Sequence, residues 1–245
     1  MARFGLIGKD IDYSFSKSHF SEKFKNEGLK HTYENFDIDT IDKFPKIINS
    51  TKKLRGLNVT IPYKEAVIPY LTKLHKTAKK IGAVNTIKVS KKGKLIGYNT
   101  DYFGFKKSIQ PHLKPHHKKA LILGTGGASK AIAYALKNLN IKYKYVSRKA
   151  TSNDVLTYNS ITKDDVHSHQ IIINCTPLGT YPKTNECPNI PYEGIDKTHL
   201  VFDLIYNPEE TKFLNIAKLK GATICNGSKM LELQAKKAWK IWQKS

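Results

Sequence analysis

Residues 120–123, Ala-Leu-Ile-Leu, form an unbroken apolar run that leads straight into Gly124-Thr125-Gly126-Gly127-Ala128 and then a stretch of helical period. A continuously apolar run of this length is the mark of a strand buried on both faces of a parallel sheet. Glycines between such a strand and a helix allow a tight turn and let backbone N–H groups approach a pyrophosphate at the positive end of the helix. Ile132, Ala135, Leu136 and Leu139 recur on one side of the expected helix, Ser129–Asn138. The pattern is GxGGxx, without the third glycine in its usual place, so a ligand-free glycine turn remains open at this point.

The next strand, expected at Lys142–Val146, narrows the choice. About 20 residues after the glycines, an NAD-binding unit carries an acid for the ribose 2′-hydroxyl. Here the strand ends Ser147-Arg148-Lys149. Arginine occurs only at Arg3, Arg55 and Arg148. An arginine backed by a lysine at this place suits a 2′-phosphate, and therefore NADP over NAD. The bland reading, a solvated basic strand end, stays open beside it.

Around this unit, short apolar runs alternate with helical periods, which is the α/β pattern. Strands are expected at Arg3–Gly8, His31–Asp37 and Arg55–Thr60, with helices at Ser16–Glu27, Thr40–Asn49, Lys64–Leu71 and His75–Ile81. Ala83–Val89 and Lys94–Tyr98 flank Lys91-Lys92-Gly93 as a hairpin. Pro111, Pro115, His116 and His117 mark a linker before a second unit opening at Lys118. Further strands are expected at Gln170–Asn174, Leu200–Leu204 and Ala222–Cys225, and helices at Glu209–Lys218 and Ser228–Gln243. No helical period is evident between Lys149 and His169, so the crossover after the second strand of this unit is expected to be trimmed.

Composition removes several classes. No apolar stretch approaches the roughly 18–20 residues that span a bilayer, and the N-terminal apolar stretch is too short and too soon charged for a signal peptide. Cys175, Cys187 and Cys225 are an odd count without metal spacing, which fits a reducing cytoplasm better than a disulfide framework. Neither His116-His117 nor His167 and His169 has a third ligand nearby in sequence, so no metal is expected. The 42 Lys+Arg against 20 Asp+Glu give a net charge of +22, which invites a nucleic-acid reading. The cations are nearly all lysine, however, and they are scattered; base readout and phosphate clamping favour arginine. A nucleic-acid partner is therefore not expected.

The first half holds polar clusters that a core does not require. Ser14 and Ser16 alternate, so in an extended segment both hydroxyls face one side and suit a carboxylate. A capping pair before the first helix explains the same spacing equally well. Asn58 and Thr60 share a strand face, with Lys64 just beyond Pro62. Asn85 and Asp101 add an amide and a carboxylate at strand ends; singly, each is ordinary turn chemistry.

Taken together, SFSKSH, GLNVTIPYK, GAVNT, GYNTD, GTGGASKA, SRK, NCTPLG, DLIYNP and NGSKMLELQA resemble the shikimate dehydrogenase family, in order and nearly end to end. The resemblance implies an NADPH-dependent, reversible reduction of 3-dehydroshikimate to shikimate, a step in aromatic amino-acid biosynthesis. It implies an α/β chain of two domains: a substrate-binding and catalytic domain of 1–101 plus 228–245, and a Rossmann-type NADP domain of 102–227. Lys64 and Asp101 would be the catalytic pair. Ser14 and Ser16 would bind the substrate carboxylate, Thr60, Asn85 and Gln234 the ring oxygens, with Asn58 nearby and Tyr206 at the carboxylate end. Gly124, Thr125, Gly126, Gly127 and Ala128 would cradle the pyrophosphate, Ser147, Arg148 and Lys149 the 2′-phosphate, with Leu204 and Gly227 toward the nicotinamide. A small-molecule substrate, no membrane, a cytoplasmic monomer or homodimer follow as expectations. The rivals are a quinate/shikimate dehydrogenase using NAD, which needs an acid near Ser147, and a non-catalytic cofactor- or nucleic-acid-binding relative, which needs a broken site. Two departures from the family pattern stand out: Lys17 replaces a usual proline, and Lys229 replaces a glycine, leaving Gly227 alone to permit close backbone contact.

Overall fold

The computed structural model describes residues 1–12, 14–149 and 155–244. The chain divides into two compact units, Met1–Thr100 with Ala235–Ser245, and Asp101–Gln234.

In the first unit, β1 (Arg3–Gly8) leads to α1 (Phe15–Asn26) and β2 (Thr32–Asp37), then α2 (Phe44–Ser50) and β3 (Leu54–Val59). A short α3 (Tyr63–Ala66), β4 (Lys73–Leu74) and α4 (Lys76–Ile81) precede the hairpin β5 (Thr86–Val89) and β6 (Leu95–Tyr98). The sheet runs β2-β1-β3-β5-β6-β4. β1 is parallel to β2 and β3, whereas β3, β5 and β6 alternate in direction. The expected helix at Thr40–Asn49 begins as a 3₁₀ turn, Ile41–Lys43, and becomes α-helical only at Phe44, with Pro45 in its first turn. That is where a proline costs nothing, because its missing N–H has no partner there anyway.

The second unit opens with α5 (Asp101–Ile109), a helix the sequence reading passed over. β7 (Lys119–Leu123), α6 (Gly127–Lys137) and β8 (Lys142–Ser147) follow, then β9 (Val155–Thr157), α7 (Lys163–Ser168) and β10 (Ile171–Asn174). β11 (Leu200–Asp203), α8 (Lys212–Leu219), β12 (Thr223–Cys225) and α9 (Ser228–Gln243) complete the chain. The sheet order β12-β11-β10-β7-β8-β9 is parallel throughout. Read from β9, it is the doubly wound order of a Rossmann fold, whose direction reverses between β7 and β10. Leu121, Ile122 and Leu123 have no exposed surface, as a strand covered on both faces requires.

Two expectations change. The segment 149–169, where no helical period is evident, does hold a short helix: β9 pairs with β8, and the six-residue α7 starts from a reciprocal capping box between Thr162 and Asp165. β8 and β9 are joined by residues 148–154, of which 150–154 lie outside the described residues. Nor is 111–117 a loose linker. His117 is buried, accepts from the Lys114 N–H at 2.9 Å through Nδ1, and places Nε2 3.1 Å from the Thr198 carbonyl, which His116 also reaches.

α9 serves both units, and its division falls later than the expected Ser228. Met230 packs into the second unit's core with Phe105 and Phe202. From Ala235 onward the helix joins Phe4, Phe20, Phe24 and Tyr33. Trp242 donates its indole N–H to the Ile87 carbonyl at 2.9 Å and lies against Gly56, where any Cβ would collide with the indole ring.

Candidate active site

In the first unit the register brings four strands level around the candidate residue Asn58. Leu6, Asn58, Thr86 and Tyr98 form one row across β1, β3, β5 and β6. Asn58 donates through Nδ2 to the Asn85 carbonyl and to Thr86 Oγ1, both at 3.3 Å. Its Oδ1 accepts from the Tyr33 hydroxyl at 2.7 Å.

Asn85 is buried, 3% exposed. Its Nδ2 donates to Thr100 Oγ1 at 3.0 Å, and its Oδ1 accepts from the Thr100 N–H at 2.6 Å. One amide thereby fixes the residue that precedes Asp101. Just past β3, the Thr60 N–H donates to the Ile7 carbonyl at 2.9 Å, and the Thr60 carbonyl starts the turn into α3 by accepting from Tyr63. Lys64, half-buried in α3, is held by its own carbonyl, which accepts from the Val84 N–H at 2.7 Å.

Ser14 and Ser16 do not lie on an extended segment. α1 begins at Phe15, so Ser14 is its N-cap and Ser16 lies in its first turn. The Ser14 hydroxyl makes no cap hydrogen bond and is buried without any protein partner. A buried hydroxyl with nothing to bond is costly, and a polar ligand atom is one thing that satisfies it. Lys17, at the position of the usual proline, is exposed in the same turn.

In the second unit the glycine turn lies at the switch point of the sheet. Gly124 has φ +101°, a conformation that other residues rarely adopt, and a Cβ there would press on Thr176 Cγ2 at 3.2 Å, just after β10. Gly126 is the N-cap of α6, exposed, with open space where a Cβ would point. Ser129 closes the first turn by donating to the Gly126 carbonyl at 2.6 Å. The exposed N-terminus of this 11-residue helix, beside Thr125, Gly127 and Ala128, fits a pyrophosphate. β8 ends with Ser147, followed by exposed Arg148 and Lys149 and no acid. These residues fit a 2′-phosphorylated dinucleotide.

Gly227 is required for a reason the sequence does not disclose. Its N–H donates to the Ile205 carbonyl at 2.9 Å, and a Cβ would collide with the Leu204 carbonyl. The chain itself, before any ligand, demands glycine here. Lys229 is exposed and paired with Glu232 at 2.8 Å. Asp101 is buried at the start of α5, 1% exposed; Tyr206 is 37% exposed, and Gln234 is half-buried in α9. Gly104 of α5 abuts the Met230 carbonyl and Gln234, which brings these two helices together.

One buried network escaped sequence reasoning. Asp203, at the end of β11, is fully buried and accepts from Asn174 Nδ2 at 3.1 Å, the Ile205 N–H at 3.0 Å and Thr211 Oγ1 at 2.7 Å. Burial pushes its carboxyl up to about 6, against the pull of those three donors. Its signal was present in NCTPLG and DLIYNP, but an aspartate in a strand does not reveal that an asparagine 29 residues earlier faces it. Among the described residues, no group of three His, Cys, Asp or Glu side chains is placed to hold a metal, and no helix is long and apolar enough to cross a membrane.

A family model described as the shikimate dehydrogenase substrate binding domain matches residues 6–87. Shikimate dehydrogenase (NADP(+)) of Clostridium botulinum (strain Hall) is 40% identical over 248 residues, which cover 97% of this chain and 95% of that protein. The chain belongs to the shikimate dehydrogenase family. Among solved structures, the Thermus thermophilus shikimate 5-dehydrogenase in complex with NADP(H) and shikimate superposes with a TM-score of 0.86 at 28% identity, covering 99% of this chain and 94% of that one. The quinate dehydrogenase of Corynebacterium glutamicum in complex with NAD gives 0.86 at 25% identity, covering 99% and 93%. The family's fold thus extends to a relative with another substrate and another cofactor.

Proposed function

We propose that the chain is an NADP-dependent oxidoreductase that interconverts 3-dehydroshikimate and shikimate. The observation that carries this reading is the end-to-end relationship at 40% identity to an NADP-dependent member of the family. The unpartnered Ser14 hydroxyl and the acid-free, cationic end of β8 support it independently.

Ser14 and Ser16 receive the carboxylate of the substrate, and Tyr206 reaches the same end. Thr60, Asn85 and Gln234 hold the ring oxygens, while Asn58, bonded on all sides to protein, fixes the wall behind them. Gly124 to Ala128 hold the pyrophosphate, Ser147, Arg148 and Lys149 the 2′-phosphate, and Leu204 and Gly227 flank the nicotinamide. NADPH, when bound, supplies the hydride. As the ketone is reduced, its oxygen gains negative charge and must take a proton. The Lys64 ammonium stabilises that oxygen and gives the proton at Nζ; Asp101 orients the ammonium and the resulting hydroxyl. In the reverse direction Lys64 takes the proton back.

The +22 charge has no nucleic-acid role in this reading. Both ligands are anions, and a basic surface assists their capture. The enzyme works in the cytoplasm, on small molecules, as a monomer or homodimer. The test is the product formed from 3-dehydroshikimate and NADPH, by wild type and by Lys64→Ala. Wild type yields shikimate; the variant turns over about 10²–10⁴-fold more slowly with a smaller change in KM. Equal turnover by both removes Lys64 from the chemistry, and no shikimate from wild type removes the assignment.

A further inference from the structure

Thr100 carries none of the chemistry of the proposed reaction, yet it grips one of the residues assigned to the ring oxygens. It is 1% exposed, and it meets both ends of the Asn85 side-chain amide. Its backbone N–H donates to Asn85 Oδ1 at 2.6 Å, and its hydroxyl oxygen accepts from Asn85 Nδ2 at 3.0 Å. A backbone N–H only donates, so the end of the amide that faces it is the oxygen. Thr86, with no exposed surface, brings a second hydroxyl, 3.2 Å from Asn85 Oδ1 and 3.3 Å from Thr100 Oγ1. That hydroxyl accepts in turn from Asn58 Nδ2 at 3.3 Å. The backbone of Asn85 is fixed as well: its carbonyl takes the Val59 N–H at 2.9 Å, and its N–H reaches the Tyr98 carbonyl at 3.1 Å. Asn85 Oδ1 thus has a backbone N–H and a threonine hydroxyl on its two lone pairs. What the amide turns toward a ligand is therefore an N–H. That polarity serves a reversible reduction, because a ketone oxygen only accepts and an alcohol oxygen accepts as well.

We propose that Thr100 is a positioning residue for recognition of the substrate ring. Its hydroxyl and its backbone N–H clamp the Asn85 amide in the orientation that presents N–H to a ring oxygen. The inference rests on the reading that Asn85 holds a ring oxygen. Without the Thr100 hydroxyl, the amide is held only at its oxygen end and swings about its last torsion, a broad one for asparagine. That loss weakens binding more than chemistry. The Thr100 N–H, which anchors the chain just before Asp101, keeps its bond to Asn85 Oδ1.

The test measures KM and kcat for shikimate at saturating NADP⁺ in wild type, Thr100→Val, Thr100→Ser, Asn85→Ala and the double variant Thr100→Val with Asn85→Ala. Valine keeps the branched shape and the N–H and drops only the hydroxyl. It should raise KM about 3- to 10-fold, the worth of one hydrogen bond, and change kcat less than about 2-fold. Serine restores the hydroxyl and should hold KM within about 2-fold of wild type. Once residue 85 is alanine the clamp has nothing to hold, and Thr100→Val should shift KM less than about 2-fold further. Three results overturn the role of Thr100 and leave Asn85 at the ring: an equal rise in both backgrounds, a serine variant as weak as the valine one, or no rise in Thr100→Val while Asn85→Ala raises KM. An unchanged KM in Asn85→Ala overturns the reading of Asn85 and this inference with it. Variants too slow to assay are titrated with shikimate by calorimetry, and the dissociation constant takes the place of KM. Should Thr100→Val not fold, Thr100→Cys replaces it under the same expectations, since a thiol bonds only weakly; an unchanged KM there sinks the proposal.

Discussion

At the scale of single residues, the proposed function gives the choice of cofactor to the cation at the end of β8. Arg148 offers a planar fork to a phosphate, and no acid stands there to meet a ribose hydroxyl. Arg148→Ala should lower kcat/KM for NADPH about 10- to 100-fold, the worth of a charged hydrogen bond, and leave the slower NADH reaction almost unchanged. Initial rates with both nucleotides check this, and equal losses with both contradict it. The candidate site residues stand out in the sequence only as a set of ordered motifs, because a serine pair, an asparagine or an aspartate alone is ordinary cap or turn chemistry. What such spacing could not show is which partners they have. Ser14 and Ser16 alternate as if on a strand, but helix α1 starts between them and gives the two hydroxyls different surroundings. Gly227 was read as making room for a ligand, whereas the Leu204 carbonyl already occupies the space a Cβ needs.

At the scale of elements, the buried Asp203 network couples the ends of β10 and β11 to the start of α8, since Thr211 both donates to Asp203 and caps that helix. Asp203→Ala leaves three donors unmatched and should cost about 2–4 kcal/mol, measured by denaturant unfolding. Asp203→Asn keeps an acceptor and should cost far less. The pH dependence has a defined sign. The folded carboxyl titrates at about 6 and the unfolded one near 3.8. The native state therefore binds the proton more tightly, and this group adds stability as pH falls from 6 toward 4. Relative to Asp203→Asn, wild type should gain up to about 3 kcal/mol between pH 7 and pH 4. The comparison with the variant matters because His117 and His169, both lowered by burial, act oppositely and lose stability as pH drops below about 6.5. A pH-independent difference contradicts the assignment. Strong apolar periods such as β7 and α6 were legible in advance. The short elements β9 and α7 were not: three and six residues carry too little period, and they are held by pairing with β8 and by the Thr162 capping box.

At the scale of the whole molecule, two sheets and a closing helix follow from pattern alone, but the division of α9 does not. A helix with apolar residues at 230, 231, 235, 238, 239 and 242 reads as one amphipathic element; only packing separates Met230 from Trp242. Trp242→Ala should cost the first unit about 3–5 kcal/mol through the cavity left against Gly56, read as a lower unfolding midpoint. The net charge of +22 belongs to this scale as well. If it serves to gather anionic ligands, kcat/KM for NADPH should fall as salt rises, with kcat unaffected; tight, steeply salt-dependent binding to duplex DNA would instead revive a nucleic-acid role. The most direct test of the account is the set of four initial rates of nicotinamide reduction, with shikimate or quinate and NADP⁺ or NAD⁺. Shikimate with NADP⁺ should exceed each other pair by at least about tenfold, the value of one well-placed polar contact. Rates highest with quinate or with NAD⁺, or no reduction in any pair, would contradict it.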